Sequence, residues 1–507
     1  MITYFYGSKF KKVFLGIILL FLKTTLIFSQ GLNHSWLLGY WPDGYLKGRM
    51  LFDASSNSYS TEMRKMQFWG TEGNISDANG NFLMSSNGVW IANANNDTMM
   101  NGAGLNPNSF TSAWSDGLLI PYGNLIIPYP GDSSKYVLIH QTGDSLNNVP
   151  STELYYSIID MQLDGGLGGL YSKNNVIFQD TIGWGISACK HANGRDWWVV
   201  AIKDTSDIIY KILFTPSGIQ SITTQNLNVP YAWGNASQLT FSPDGTKFTY
   251  SYYDALINRD IFLFNFDRCN GMFSNPQIID ITDGHVGFGL AFSSSSRYLY
   301  ATSSANIFQI NTDTSNIQAS LQIVAQNDTF HSPVPNGFVT DFFLMYLAAD
   351  GKIYITSGNS VQHLHFINYP DSAGMACDVQ QHAINLGIWS FRAVPNHPNY
   401  YLGCDTTSGC ACLTTTLEEI NNHYFKLSIS PNPSNGSFKI IYLFPQNQKG
   451  RLEIYDVNGK RIYDMDLPPW STMQNISLPE TIANGIYNCV LSSGNSRMNK
   501  KLVVIRN

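Results

Sequence analysis

The stretch FSPDGTKFTYSY, residues 241–252, decides the fold of this chain. Phe248, Tyr250 and Tyr252 fall at alternate positions, so their side chains share one face of a β-strand. Asp244 and Gly245 supply a tight turn before that strand, because glycine adopts the positive φ that such turns need. The unit is therefore a hairpin whose second strand presents an aromatic face.

Similar hairpins recur along the middle of the chain. In each one a polar turn joins an apolar strand to a strand of alternating large residues, and the turn centres lie near residues 80, 132, 194, 245, 296, 351 and 398. A period of about fifty residues with about four strands per repeat is typical of propeller blades. The sequence therefore predicts an all-β fold with a β-propeller of seven blades, and six blades are the alternative.

The two ends of the repeat region predict how the ring closes. Residues 36–68 contain strands without a preceding turn motif, whereas the copy at 390–403 has no strands after it. One composite blade would supply what each segment lacks, because the ring of a propeller must close. We therefore expect strands of 36–68 to pair with a strand near residue 400.

Composition and charge narrow the function classes. The chain has 507 residues, 44% of them hydrophobic and 13% charged, which excludes a disordered protein. The net charge is −6; residues 1–30 carry +4 and residues 425–507 carry +5, which leaves −15 for the part between them. An acidic middle part repels phosphate backbones, so nucleic acid is not an expected partner.

Residues 1–30 are predicted to be a signal peptide. Lys9, Lys11 and Lys12 precede a run of ten apolar or small residues, 13–22, which is too short to span a bilayer. No later segment is apolar enough to span one. We therefore expect an exported protein without a transmembrane anchor.

The texture changes near the end of the chain. We assign the propeller to residues 31–405, a polar linker to 406–424 and a second domain to 425–507. In the last range apolar residues alternate, and Asn458-Gly459 is a strong signal for a two-residue hairpin turn. A compact strand set of about eighty residues predicts a small β-sandwich.

Both parts resemble known families. The string Phe241-Ser-Pro-Asp-Gly-Thr-Lys-Phe resembles the repeat of WD40-like propellers related to the TolB type, and other blade strings look like propellers of secreted Bacteroidota proteins. SPNPSNG (430–436), LEIYDVNGK (452–460) and ANGIY (483–487) are similar to the type A C-terminal sorting domain of the type IX secretion system. The residues that carry this second resemblance are Pro431, Asn432, Pro433, Asn435, Gly436, Asn458, Gly459, Asn484, Gly485 and Tyr487.

The resemblance to the sorting domain implies a route and a partner. It implies signal-peptide export, then passage across the outer membrane by the type IX machinery, with the cargo left on the cell surface or released. The basic balance of residues 425–507 is compatible with recognition by an acidic partner. The alternative is a terminal adhesive sandwich.

The cysteines are expected to form disulfides, because an exported chain folds in an oxidising compartment. Cys404, Cys410 and Cys412 cluster, with Cys377 upstream, and we expect at least one disulfide within this group. The spacing of Cys410 and Cys412 does not favour zinc. The remaining cysteines are scattered and are expected to include buried free thiols: Cys189, Cys269 and Cys489.

Motifs for catalysis or cofactor binding are not found, so we assign no catalytic residue, cofactor or metal. The glycine-rich segment 164–169 does not fit the dinucleotide fingerprint and is predicted to be a hairpin loop. The segment 77–81 has calcium-like oxygen spacing but is predicted to be a blade turn. His363 and His365 share one strand face, yet we expect ordinary surface or core histidines.

Two function classes remain. The first is a binding or scaffolding module that holds a glycan, a peptide or a protein at one mouth of the ring, with Trp90, Trp184 and Trp233 as candidate contacts. The second is an extracellular hydrolase or lyase acting on polysaccharide or peptide. Two carboxylates converging with His or Arg in the central pocket would favour the enzyme. Because no catalytic motif is found, we favour binding over catalysis, and the enzyme stays the alternative.

Overall fold

A computed structural model of the chain describes residues 31–40, 46–53, 56–143, 151–231, 236–252, 259–285, 287–333, 337–413, 426–443, 450–467, 473–493 and 496–506. The predicted signal peptide lies outside these residues. The chain divides into two compact units, and the division falls after Cys412, within the predicted linker. The domain boundaries given above remain predictions.

The first unit is a β-propeller whose described strands form seven antiparallel blades. Blades 1 to 3 consist of β1 (Ser35–Leu38), β2 (Leu46–Asp53) and β3 (Ser56–Met63); β4 (Gly73–Ser76), β5 (Phe82–Ser86), β6 (Trp90–Ala92) and β7 (Thr98–Ala103); and β8 (Asn124–Pro128), β9 (Lys135–Gln141), β10 (Ser151–Asp160) and β11 (Gly169–Ile182). Blades 4 and 5 consist of β12 (Ser187–Lys190), β13 (Trp197–Ile202), β14 (Ile208–Thr215) and β15 (Gly218–Asn226); and β16 (Ala236–Phe241), β17 (Lys247–Tyr252), β18 (Arg259–Asp267) and β19 (Met272–Ile281).

The last two blades follow the same pattern. They consist of β20 (Gly287–Phe292), β21 (Tyr298–Ser303), β22 (Asn306–Asn311) and β23 (Gln322–Gln326); and, after a small sheet of β24 (His331–Ser332) and β25 (Phe338–Val339), of β26 (Met345–Leu347), β27 (Ile353–Ile355), β28 (Val361–Ile367) and β29 (Val379–Ser390). One short α-helix, α1 (Ser109–Ala113), lies between β7 and β8. Short 3₁₀ helices cover Gly31–Asn33, Asp164–Gly166, Gln318–Ser320 and Gly374–Cys377.

The hairpin that predicted the fold forms as expected. Gly245 has a φ of +73°, and Phe241 pairs with Phe248 across the antiparallel register of β16 and β17. Phe248 and Tyr250 are fully buried on one face of β17. Thr249, on the opposite face, is fully buried as well. Strands near the axis are buried on both faces because each blade packs between two neighbours.

The ring closes differently from the prediction. Blade 1 consists of β1, β2 and β3, and residues 391–403 contain no strand. Ala393 packs in the same apolar cluster as Leu37, and Val394 packs with Trp36, so the segment lies beside β1 without pairing with it. The expected pairing is therefore wrong, and its physical reason is proline: Pro395 lacks the N–H that a strand ladder needs.

Blades 2 and 3 are joined at their outer edges. β7 and β11 pair in parallel at Met100 and Gly169, which makes one eight-stranded sheet of the two blades. Lys173 Nζ reinforces this joint, since it donates to the carbonyl oxygens of Asn101 (3.2 Å) and Ala103 (2.7 Å).

The second unit is a β-sandwich with its own apolar core. One sheet has the order β30 (Lys426–Ser430), β31 (Ser437–Leu443) and β34 (Met473–Ser477). The other has the order β33 (Arg461–Leu467), β32 (Gly450–Tyr455), β35 (Gly485–Ser493) and β36 (Ser496–Val504). Ile440, Leu452 and Leu502 from the two sheets are fully buried between them. The predicted architecture, a propeller followed by a small sandwich, is confirmed.

Candidate functional site

A cavity of about 390 Å³ lies at one mouth of the propeller. The inner strands of blades 4 to 7 and the turns that follow them supply most of its wall. Its apolar side chains include Phe241, Leu290, Phe292 and Leu347. Hydroxyl and carboxyl groups come from the turns of blades 5 and 6, at Ser242, Asp244, Ser294, Ser295 and Ser296. The lining therefore mixes apolar and polar groups in similar measure, which suits a ligand that makes both hydrophobic contacts and hydrogen bonds.

The floor of the cavity is a hydrogen-bonded plug centred on Gln238. Its amide nitrogen donates to Tyr122 Oη and to the Met345 carbonyl oxygen (2.6 Å). Its amide oxygen accepts from the backbone N–H groups of Leu290 (3.1 Å) and Met345 (3.0 Å). All four bonds cross between different blades, so this one side chain fixes the inner strands around the axis.

The other wall is formed by residues 393–403, which we call the closing segment. Asn396 Nδ2 donates to the carbonyl oxygens of Asn124 (3.0 Å) and Ile186 (2.8 Å), and Asn399 Nδ2 donates to that of Pro243 (2.6 Å). The segment therefore bridges blades 3, 4 and 5 through side-chain amides, although it has no strand ladder.

His397 anchors the closing segment to blades 2 and 7. Its Nε2 lies 2.9 Å from the Asn74 carbonyl oxygen and its Nδ1 lies 2.8 Å from Tyr346 Oη. Since a carbonyl oxygen only accepts, Nε2 donates and Nδ1 accepts from the tyrosine. Burial lowers the pKa of His397 to about 4, so the ring is neutral at pH 7.

Two disulfides secure the chain just beyond the closing segment. Cys404 bonds to Cys412 and Cys269 bonds to Cys410, with Cα separations of 5.5 Å and 5.6 Å. The prediction of at least one disulfide in the cysteine cluster is confirmed by the first pair. Cys377 is not a partner but a buried free thiol, like Cys189 and Cys489.

Among the described residues that line the cavity, one carries a carboxyl group, Asp244. Burial alone would raise its pKa, but hydrogen bonds from Ser242 Oγ (2.6 Å) and from Thr246 outweigh it, and the pKa is lowered. The carboxylate is thus ionised and bonded within its own turn. Among the described lining residues no second carboxylate converges with it, and both ring nitrogens of His397 are already hydrogen-bonded. The described lining residues therefore offer hydrogen-bonding groups to a ligand, and they include no acid/base pair of the kind that a glycoside hydrolase uses.

A second group of residues has the spacing of a catalytic triad. His140 Nε2 lies 2.9 Å from Ser157 Oγ, and its Nδ1 lies 2.8 Å from Asn106 Oδ1. All three side chains are fully buried, and Ser157 Oγ also accepts from the Asn174 N–H (3.0 Å). Burial lowers the pKa of His140 to about 3. No substrate reaches such a group, so the network holds β9, β10 and β11 together.

The other candidates from the sequence take structural positions. Residues 77–81 form the turn between β4 and β5, and the glycine-rich loop joins β10 to β11, both as expected. His363 Nδ1 lies 2.6 Å from Ser332 Oγ, and His365 is fully buried. In the described parts of the chain, no group of three His, Cys, Asp or Glu side chains could hold a metal ion.

Of the three candidate tryptophans, two lie in the described part of the chain. Trp90 is half-buried and packs against the core cluster of Leu37 and Phe68. Trp184 is half-buried beside Phe110, and Trp233 lies outside the described residues.

Sequence reasoning missed Gln238 and Tyr122, and the only sequence signal for the closing segment is its polar run between prolines, at 395–398.

The ten residues of the sorting-like motifs lie in the sandwich, and several contact the C-terminal strand. Asn432 pairs with the backbone of Lys501 (2.7 Å) and Val503 (2.8 Å), and Asn484 pairs with both backbone groups of Arg506 (2.8 and 3.0 Å). The Arg506 guanidinium donates to the carbonyl oxygens of Asn435, Leu478 and Pro479 at 2.9 to 3.1 Å.

The remaining motif residues shape turns. Gly436 lies against Arg506, where a Cβ would come within 2.5 Å of the guanidinium. Asn458 and Gly459 form the tip of the β32–β33 hairpin, and Tyr487 Oη donates to the Ala483 carbonyl oxygen (2.7 Å). Pro431 and Pro433 flank Asn432 between β30 and β31, and Gly485 begins β35.

Comparison with known proteins identifies the second unit. Residues 428–505 match the family model of the secretion system C-terminal sorting domain. This match indicates export by the type IX system to the cell surface or the medium. Among the described residues, no helix is long and apolar enough to cross a membrane. No curated protein matches the chain.

Solved structures similar to the chain are distant in sequence. A candidate 6-phosphogluconolactonase from Bacteroides fragilis is 11% identical, with a TM-score of 0.43, covering 71% of this chain and 96% of that one. The periplasmic gluconolactonase of Pseudomonas aeruginosa is 12% identical, with a TM-score of 0.34 and coverages of 87% and 99%. A lectin from Burkholderia pseudomallei is 8% identical, with a TM-score of 0.34 and coverages of 94% and 100%. These TM-scores are below 0.5, and the propeller assignment rests on the strand topology.

Proposed function

We propose that the protein is a binding protein that is exported and then displayed on the cell surface or released. It holds a ligand in the cavity at the mouth of its propeller that the closing segment lines. The observation that carries this proposal is the chemistry of the cavity. Its lining mixes apolar side chains with hydroxyl and amide groups, and the one carboxylate among the described lining residues, that of Asp244, accepts hydrogen bonds within its own turn. Such a site recognises a ligand through shape and a few hydrogen bonds.

The proposal includes the partners of each part. The sandwich is recognised by the type IX machinery through the face that carries the sorting-like motifs, and the propeller is its cargo. Asn432, Asn484 and Arg506 contribute by fixing the C-terminal strand in place. Deletion of residues 425–507 in a host with this system should leave a folded propeller in the periplasm. Undiminished surface display would contradict this role.

Binding is tested by filling the cavity. A glycan and peptide array first identifies a ligand that the purified protein binds. Ala349 lines the cavity, so Ala349→Phe should abolish binding to that ligand. Ala319→Phe is the matched control, because Ala319 is exposed on a 3₁₀ helix away from the lining residues. Equal binding by both variants would contradict the cavity as the site.

The alternative, a hydrolase or lyase, is tested on the same material. Incubation with extracellular polysaccharides and peptides, followed by mass spectrometry, should show no cleavage products. Products that disappear in Asp244→Asn would establish the enzyme instead, since Asp244 is the one carboxylate among the described cavity residues.

A further inference from the structure

The two edge strands of the larger sheet in the sandwich differ in how their charges are balanced. The strand order is β33, β32, β35 and β36, so β33 and β36 are the edges. On β33, Arg461 bonds to Glu453 of the adjacent strand (3.0 Å). Asp464 and Asp466 both bond to Arg451, which also lies on that adjacent strand. Each charged side chain of β33 therefore has an ion-pair partner.

The charged side chains of β36 are all cationic and have no such partners. Arg497, Lys500 and Lys501 are exposed, and none of them forms an ion pair with any residue that the structure describes. The neighbouring strand β35 contains no acidic residue, and neither do β30, β31 and β34 of the other sheet. These strands therefore leave the charge of the β36 edge uncompensated, and the field of that edge favours an anionic partner.

Part of the β36 backbone is open as well. The Asn432 side chain accepts from the Val503 N–H (2.8 Å) and donates to the Lys501 carbonyl oxygen (2.7 Å). Because backbone groups alternate in direction along a strand, the odd-numbered residues of β36 point theirs away from β35. Those of Arg497 and Asn499 consequently face outward, and no described residue bonds to them. An exposed strand edge with free backbone groups is a template for pairing with another chain.

We infer that the open half of β36, residues 497–501, binds an acidic segment of a partner protein, which pairs with it as an added strand. The backbone groups supply affinity, and carboxylates opposite Arg497 and Lys501, which share one face of the strand, supply specificity. The same cations act against pairing between two copies of this chain, because like charges would then face each other. The export machinery is the proposed partner of the sandwich, so this inference rests on the function proposed above and names its contact surface.

The test is titration of the purified chain with three peptides of equal length, in which valine alternates with glutamate, glutamine or lysine. We expect the glutamate peptide to bind, with an affinity that falls as the salt concentration rises. The glutamine peptide should bind on the order of tenfold more weakly, and the lysine peptide should not bind. Binding of the glutamate peptide should also slow the hydrogen exchange of the Arg497 and Asn499 amides.

Charge-reversal variants locate the contact. Lys500→Glu/Lys501→Glu replaces attraction by repulsion, so it should weaken binding of the glutamate peptide on the order of tenfold or more and allow the lysine peptide to bind. Lys439→Glu/Lys460→Glu is the matched control, because it changes the net charge equally at exposed positions away from β36. Lys500→Arg/Lys501→Arg keeps the charge and should keep the affinity. The thermal unfolding midpoint of each variant shows whether the sandwich is intact.

Several results would overturn the inference. These are failure of the glutamate peptide to bind, equal affinity for the glutamate and glutamine peptides, and equal losses in the β36 variant and its control. N-methylation of the glutamate backbone nitrogens removes the donors that face β36, so undiminished binding of that peptide would contradict the added strand.

Expression in a host with the type IX system separates this inference from the proposed function. Lys500→Glu/Lys501→Glu should lower surface display, and Lys439→Glu/Lys460→Glu should not. Display that survives the β36 variant but is lost on deletion of residues 425–507 overturns the contact surface and leaves the proposed function intact. Display that survives the deletion contradicts the proposed function itself.

Discussion

The closing segment of the propeller and the C-terminal strand of the sandwich solve the same problem by different means. Each lies near the end of its unit and must be held against strands formed earlier in the chain. β36 is held by a ladder with β35, and Asn432 and Asn484 extend that ladder with side-chain amides. The closing segment has no ladder and depends on amide, imidazole and disulfide bonds. Proline in a segment therefore does not prevent its anchoring when side chains replace the backbone groups.

The largest expected effect concerns the two disulfides, which both lie in the propeller unit. Cys269→Ser/Cys410→Ser opens a loop of 141 residues, and chain entropy predicts a loss of about 5 kcal/mol in the free energy of unfolding of the propeller. Cys404→Ser/Cys412→Ser opens a separation of 8 residues and should cost about half as much. Denaturant unfolding followed by tryptophan fluorescence measures both. Equal losses would show that loop entropy is not the cause.

Acid should weaken the propeller and spare the sandwich in the same range of pH. Burial lowers the pKa of His397 to about 4, whereas an unfolded histidine titrates near 6.5, so unfolding takes up a proton between these values. The stability that neutral His397 contributes is complete above pH 6.5 and falls by about 3 kcal/mol as the pH drops to 4. His140 and His365 act in the same direction, whereas Glu72, whose pKa burial raises to about 8, opposes them. Residues 425–507 contain no histidine and lack this proton uptake.

The matched variants are His397→Gln and His331→Gln. The first removes the half-buried imidazole and should reduce the pH dependence of unfolding by the share that His397 contributes, although it lowers stability at pH 7. The second replaces an exposed histidine and serves as the matched control. A slope unaltered in His397→Gln would assign the acid sensitivity to the two fully buried histidines, His140 and His365.

Arg506 should matter to the sandwich alone. Its guanidinium bonds to three carbonyl groups, and Arg506→Ala should lower the free energy of unfolding of the sandwich by about 2 to 3 kcal/mol. Lys500→Ala is the control, since Lys500 is exposed on β36, the strand that precedes Arg506. Hydrogen exchange of β36 gives the readout. If exchange became faster in both variants, the positive charge near β36 would stabilise this strand, and the hydrogen bonds of Arg506 would not be the cause.

The smallest effect tests one amide of the closing segment. Asn399→Ala removes the bond to the Pro243 carbonyl oxygen and should cost about 1 kcal/mol. Ser408→Ala, beyond the segment and bonded only near its own turn, should cost less. If Asn399→Ala left the free energy of unfolding unchanged, the disulfides alone would hold the closing segment in place.

The sequence predicted the repeated parts of this molecule because each hairpin carries its own evidence. Gly245 with the alternating Phe248 and Tyr250 indicates a turn and a strand without reference to the rest of the chain. The cavity was not predictable in this way. Gln238 and Tyr122 lie more than a hundred residues apart and meet only after the ring closes, and neither has an unusual local context. The expected pairing near residue 400 was wrong because Pro395 overrides a strand pattern.

The joint between blades 2 and 3 has a mechanical consequence. Each blade is wedge-shaped. A propeller therefore opens most easily where two neighbouring blades separate, starting at the outer rim and continuing toward the axis. The pairing of β7 with β11 and the bonds of Lys173 lie at that rim, so this cleft must break hydrogen bonds before it can widen. Under force or during local opening, blades 2 and 3 should therefore move and exchange their amide hydrogens as one body, while the ring opens elsewhere.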